Sequence, residues 1–229
     1  MAINVNAVYK TVLLILNQQQ RGYMTPDEFN KVATQVQLNI FERYEDDLNQ
    51  MYRVPQNDTE YANRVKNIEE NLQFFQRTGA TAYVGPHFTL TPTDIYRLGS
   101  VYSGGVELTQ YAQRNEITQM LLSPLTQPTT NFPVYLYEQD LLYVYPTTIQ
   151  TGITISYLKT PADIKWTYSV GTLGQFEYAE GGAGAQDFEL SVTEQTNVIT
   201  RVLAYAGVII NDPTIIQVAS QQIQAEEQN

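Results

Sequence analysis

Apolar and polar positions along the chain change period twice. Up to about residue 79 they recur three and four apart, the spacing of amphipathic helices. Val5, Val8, Tyr9, Val12, Leu13 and Leu16 make one such face, capped by Asn4 or Asn6 and ended by Gly22. Thr25, Pro26, Asp27 and Glu28 then combine an N-cap, a proline at the first helical position and a capping-box glutamate. Phe29, Val32, Val36, Ile40, Tyr44, Leu48 and Met51 continue as a second stripe, so the two segments form a helical hairpin, closed by Pro55. A third helix starts at Asp58 or Thr59, carries Tyr61, Val65, Ile68, Leu72 and Phe75 on its seam, and ends at Gly79.

From Ala80 the pattern shifts to short runs rich in β-branched and aromatic residues. Tyr83–Leu90, Ile95–Tyr102 and Val106–Tyr111 read as strands, with Gly85-Pro86 and Gly104-Gly105 as punctuation, and Asn115–Leu122 as a short helix. Val134–Tyr145 reads as a hairpin turning over Glu138, Gln139 and Asp140, followed by a strand over Ile153–Leu158. The polar, glycine-bearing stretch Gly171–Gln186 reads as a mobile surface loop.

Helical spacing returns at the C-terminal end. Ser191 and Glu194 have capping-box spacing, and Val192, Ile199, Val202, Leu203 and Ala206 make a stripe with Thr200 outside it. Asp212-Pro213 starts a last helix with Ile216, Ala219 and Ile223 on its thin apolar seam. Gln217, Gln221, Gln222 and Gln224 cover its other faces, an uncharged surface rich in amide donors and acceptors and a candidate subunit contact. The expected fold class is therefore α+β. Residues 1–79 plus 187–229 form an α-helical body, and residues 80–186 form an antiparallel β-rich insertion with a Gly-rich loop.

Composition narrows the function. The 229 residues include no cysteine, which excludes disulfides and thiolate metal sites. The opening MAINVNAVYK lacks a basic stretch leading into a long apolar run, and no segment approaches the roughly 20 apolar residues of a membrane span. The expectation is a protein made in the cytoplasm and not inserted in a membrane. Twenty-four acidic residues against 13 basic give a net charge of −11. Up to Met120 there are ten basic and 13 acidic residues, net −3; beyond it there are three and 11, net −8. Such a surface repels phosphate, which argues against sequence-specific nucleic-acid recognition and suits a wall that DNA slides past.

Catalytic constellations are sparse. His87 is the only histidine, so a zinc pair and most nucleophile–base arrangements lack their parts, and its place beside Gly85-Pro86 reads as structural. The glycine clusters GTLG and GGAG match neither a Walker loop nor a dinucleotide fingerprint. Glu138 and Asp140 sit close in sequence and could be the acid pair of a glycan hydrolase, but that chemistry requires a defined separation across a cleft. The chain reads as a non-enzyme without cofactor or metal. Its 17 tyrosines read instead as packing and interface material. Tyr135 and Tyr137 on one strand, Tyr143 and Tyr145 on the next, and Tyr157 nearby are candidate interface residues, since alternation turns each strand's tyrosines to a single face.

Three blocks carry a family resemblance: VYKTVLLILNQQQRGYMTPDEFNKVATQVQLNIFERY, FPVYLYEQDLLYVYPTTIQTGITISYLKTPADIKWTY, and DFELSVTEQTNVITRVLAYAGVIINDPTIIQVASQQIQAEEQN. Together they resemble virion structural proteins of short-tailed, crAss-like phages, and within that group the head-to-tail connector, adaptor or ring proteins. The resemblance implies a homo-oligomeric ring, commonly a dodecamer, below the portal at the head–tail junction of the virion. It implies contacts with the portal protein and neighbouring tail or ring proteins, and a channel through which DNA is packaged, retained and ejected without being read. The end of the chain, with Glu226 and Glu227 and no basic anchor, departs from a portal-inserting tail. The alternative from another class is a tail receptor- or carbohydrate-binding module resting on the tyrosine-rich strands.

Overall fold

The computed structural model of the chain describes residues 2–18, 23–53, 59–107, 110–210, 217–218 and 220–224. In chain order its elements are β1 (Ala2–Ile3), α1 (Val5–Gln18), α2 (Pro26–Arg53), α3 (Thr59–Leu72), β2 (Gln76–Val84), β3 (His87–Leu90), β4 (Ile95–Ser103) and β5 (Val106–Glu107). There follow β6 (Gln110–Tyr111), α4 (Arg114–Leu122), β7 (Val134–Glu138), β8 (Leu141–Tyr145), β9 (Ile153–Lys159), β10 (Tyr168–Val170), β11 (Phe176–Tyr178), β12 (Phe188–Ser191), a 3-10 turn over Val192–Glu194, and α5 (Gln195–Ile210). Residues 217–218 and 220–224 are helical as well. The fold is α+β, with a helical part and a β-rich part.

The chain divides into two compact units, Met1–Phe74 with Pro161–Asn229, and Phe75–Thr160. The boundaries thus differ from residues 79/80 and 186/187. At the first, α3 stops at Leu72 and Gln76 already pairs with Leu158 in β9. Gly79 is not a helix stop but a buried strand residue, where a Cβ would come within 2.6 Å of Pro92 Cγ and 3.1 Å of Tyr157 Cε1. At the second, Pro161–Gln186 belongs with the helices, because residues 162–166 bond to α2.

In the helical unit, the α2 start is built as its residues dictate. Thr25 N–H donates to Glu28 Oε2 at 2.9 Å, and Glu28 N–H to Thr25 Oγ1 at 3.4 Å. The Thr25 hydrogen bonds hold the Glu28 carboxyl below the usual carboxylate range. At α1, Asn4 Oδ1 takes the Ala7 amide at 3.0 Å, whereas Asn6 Oδ1 accepts from Trp166 Nε1 at 3.2 Å. Val5, Val8, Tyr9, Val12 and Leu16 of α1 are buried, as are Phe29, Ala33, Val36, Ile40 and Phe41 of α2 and Val198, Val202 and Ala206 of α5.

The polar side of α2 is equally organised. Asn30, Thr34 and Gln37, spaced four and three apart, share one face. Asn30 Oδ1 accepts the Trp166 amide at 2.8 Å and its Nδ2 donates to Trp166 O at 3.3 Å. Thr34 Oγ1 accepts the Ile164 amide at 2.9 Å. Gln37, fully buried, donates to Ala162 O at 2.9 Å and accepts the Glu189 amide at 2.7 Å. These side chains supply the partners that a neighbouring strand would otherwise give to this backbone.

The start of α5 departs from expectation. Ser191 ends β12 opposite Ala2 and makes no side-chain cap bond, while Glu194 accepts from Asn197 Nδ2 at 2.9 Å. The intervening 3-10 turn breaks the helical phase, so Val192 is 47% exposed and Thr200 is buried. Gly171–Gln186 is not a bare loop either. It contains most of the β10–β11 hairpin, whose register sets Tyr168 opposite Tyr178 and Val170 opposite Phe176, and Lys165 and Gln186 form an isolated bridge. The helix ends assigned to Gly22, Pro55 and Asp58, and the start at Asp212-Pro213, lie outside the described residues.

The β unit is an eight-stranded sheet ordered β5-β4-β9-β2-β3-β8-β7-β6. The sheet is mixed where an antiparallel one was expected, because β6 pairs with β7 in parallel. Tyr83–Leu90 is two strands joined at Gly85-Pro86, a cis peptide. Lys159 N–H donates to Phe75 O at 2.9 Å, joining the unit's two chain ends. Gln139 and Asp140 both have positive φ, 53° and 60°, which fits a two-residue turn matching the twist of β7 and β8.

Replacing Gln37 by leucine should strand Ala162 O and the Glu189 amide. We expect a loss of about 2–4 kcal/mol in urea unfolding followed by Trp166 fluorescence. A change under about 0.5 kcal/mol would show that these bonds do not hold the return segment.

Candidate functional site

The β7–β8 ladder decides how the candidate tyrosines are arranged. Residues directly opposite in an antiparallel pair share a face. Tyr135 is opposite Val144 and Tyr137 opposite Leu142, whereas Tyr143 is opposite Leu136 and Tyr145 opposite Val134. The two tyrosine pairs therefore point to opposite sides of the sheet and do not form one band. Tyr135 and Tyr137 lie half-buried against Phe88, Val101, Leu142, Val144 and Ile155. Tyr143 and Tyr145 lie half-buried against Ala112, Ile117, Val134 and Leu136, beneath α4. Tyr157 is buried, with its hydroxyl 3.4 Å from Asp94 Oδ1.

The two acids of the turn are parted in the same way. Glu138 meets Arg114 at the start of α4, with Arg114 Nε 3.0 Å from both carboxylate oxygens and Arg114 Nη2 closing the fork. These hydrogen bonds hold the Glu138 carboxyl below the usual range. The pair lines an open depression of about 540 Å³ together with Tyr111, Asn115 and Leu136. Asp140 instead accepts from the Tyr137 hydroxyl at 2.8 Å. Burial, aided by that bond to Asp140, pushes the Tyr137 phenol up to about 12. His87 is half-buried, its ring 5.6 Å from that of Tyr143. Among the described residues, no group of three His, Asp or Glu side chains could hold a metal ion, and no helix is long and apolar enough to cross a membrane.

Beyond α5, Gln217, Gln221, Gln222 and Gln224 are all exposed. At about 100° per residue, Gln217, Gln221 and Gln224 share one face and Gln222 stands apart from it. Ser220 at the edge of that face and Ile223 beyond it line a pocket of about 240 Å³ with Val36, Asn39, Ala204 and Tyr205. Ile216 and Ala219 lie outside the described residues.

The aromatic cluster around Trp166 was not signalled by period. Trp166 is buried beneath the β10–β11 hairpin, stacked with Tyr168 and Tyr178 at centroid distances of 5.9 and 5.7 Å, and tilted against Tyr9 at 4.4 Å. Beyond this root the hairpin exposes Val170, Leu173 and Phe176. The sequence signal was available as WTYSV and FEY, two aromatic runs flanking GTLG. In comparisons with known proteins, no family model matches the chain, and no curated protein matches it.

Because Tyr137 keeps its proton to a higher pH when folded than when unfolded, its contribution to stability is complete below about pH 10 and is lost as pH rises toward about 12. Labelling tyrosine at Cζ and titrating by NMR should place Tyr137 about two units above the exposed tyrosines, and Asp140→Asn should lower it. Titration of Tyr137 at the ordinary tyrosine value of about 10 would contradict the described burial and hydrogen bond.

Proposed function

We propose that this protein is a structural subunit of a phage head-to-tail connector ring, placed below the portal and forming part of the channel for packaged DNA. The observation that carries the reading is the division of labour between surfaces. A helical unit holds both chain ends, and a β unit is inserted between α3 and residue 161. Both leave uncharged contact surfaces exposed. On the β unit, Leu122, Leu125 and Phe132 are 80, 95 and 78% exposed, apolar side chains open to contact. On the helical unit, Gln217, Gln221 and Gln224 offer amide groups without charge. The resemblance of the three sequence blocks to connector proteins supports the same assignment, in which the helices form the ring body and the strands reach neighbouring tail proteins. The net charge of −11 supports passage of DNA along a wall that does not retain it.

The tyrosine-rich strands give less support to a glycan-binding module, since their rings are divided between two faces and half-buried there.

Purified virions should contain the protein, and a reconstruction should place it on the tail axis next to the portal. Its absence from virions, or a position away from that axis, would remove the proposal. Deleting residues 213–229 should leave a folded chain, judged by an unchanged Trp166 unfolding midpoint, that no longer enters virions. A deletion variant that assembles normally would show that this segment makes no essential contact.

A further inference from the structure

The helical unit carries both halves of an apolar contact. The first is the tip of the β10–β11 hairpin. Its five residues, Gly171–Gln175, bear no charge, and Leu173 at the apex is 91% exposed. The tip is held in shape from within. Gly171 N–H donates to Gln175 O at 2.8 Å, Gly174 N–H donates to Gly171 O at 2.9 Å, and the Gln175 carboxamide accepts the Leu173 amide at 3.1 Å. Gly174 sits at φ +81°, where a side chain would be strained. A leucine fixed outward on an ordered turn loses little freedom on docking.

The second half is the pocket of about 240 Å³ lined by Val36, Asn39, Ala204, Tyr205 and Ile223. Arg201 at its wall donates to Asn197 Oδ1 at 2.7 Å and to Asn39 Oδ1 at 2.9 Å, which holds its guanidinium against the wall.

Helix geometry separates the two halves. The hairpin root is fixed to α2 through Asn30, which holds Trp166 by its N–H and C=O. Val36 and Asn39 lie six and nine residues further along α2, about 240° and 180° around the axis from Asn30. The knob is thus rooted on one side of α2 and the pocket opens on the other. A chain with a knob and a hole on opposite sides meets its copies head to tail. Such heterologous contacts build closed rings or open filaments, not two-fold dimers. No acidic side chain lies in the hairpin tip or among the residues lining the pocket, so copies of net charge −11 meet there without opposing carboxylates.

We propose that Leu173 of one subunit seats in the Asn39–Ala204–Tyr205 pocket of the next, and that this head-to-tail contact closes the subunit ring. Its placement in a connector rests on the function proposed above, whereas the contact itself does not.

The absence of cysteine from the chain makes the test direct. Leu173→Cys and Ala204→Cys full-length variants, mixed at high concentration with a short bismaleimide, should give a crosslinked dimer well above either variant alone. The double variant should give a ladder of oligomers. Leu173→Asp, at an exposed site that leaves folding intact by circular dichroism, should weaken self-association in sedimentation by about ten- to a hundredfold. The proposal is overturned if the mixture crosslinks no more than the single variants, if the double variant yields only internally linked monomer, or if Leu173→Asp self-associates as the parent does. Efficient crosslinking of a protein found off the tail axis would keep the contact and remove the connector reading. An axial ring whose subunits fail to crosslink at these positions would do the reverse.

Discussion

The helical unit depends on a row of polar side chains on α2. Asn30, Thr34 and Gln37 meet the backbone of residues 162–166 and Glu189 with five hydrogen bonds of 2.7–3.3 Å. The edge that an extended segment turns toward a helix has no strand partner, and its unpaired amides and carbonyls would oppose burial. A helix face bearing carboxamides and a hydroxyl at one-turn spacing resolves this, because each can take or give a bond along the extended backbone. Gln37 is the most constrained of the three, since it is buried and serves two separate segments.

Much follows from that row. It places Trp166, whose indole then stacks with Tyr168 and Tyr178 and donates to Asn6. It fixes the root of the β10–β11 hairpin, so that the leucine at its tip is presented by a supported element. Glu189, bonded to Gln37, belongs to β12, which pairs with β1, and Asp187 Oδ1 takes the Val5 amide at the start of α1 at 2.8 Å. Residues far apart in sequence thereby close the helical unit around α2.

The sequence announced the helices well, because their signals are local. The Thr25–Glu28 box, the stripes of α1 and α2, and the hairpin over Gln139-Asp140 each rest on residues within a few positions of one another. What it concealed was non-local. Gly79 reads as a helix stop until Pro92 and Tyr157 are seen against it. Asn30, Thr34 and Gln37 lie outside the apolar stripe of α2, and counting apolar period alone gives them no signal. The tyrosines of β7 and β8 look like one band by odd numbering, but a two-residue turn places odd positions of the two strands on opposite faces. Val192 was misassigned because a 3-10 turn shifts the phase of α5.

A protein with exposed uncharged surfaces on both units and an acidic balance fits a part that is built into an assembly. The polar row on α2 holds residues 162–166, and with them the root of the β10–β11 hairpin, in place. Native-state amide exchange on the full-length chain tests this most directly. The amides of Ile164, Trp166 and Glu189 should be protected to the same degree as those in the buried stretch of α2 around Ala33 and Val36. Exchange of these three amides at the rate of exposed loop amides, with α2 still protected, would contradict the account.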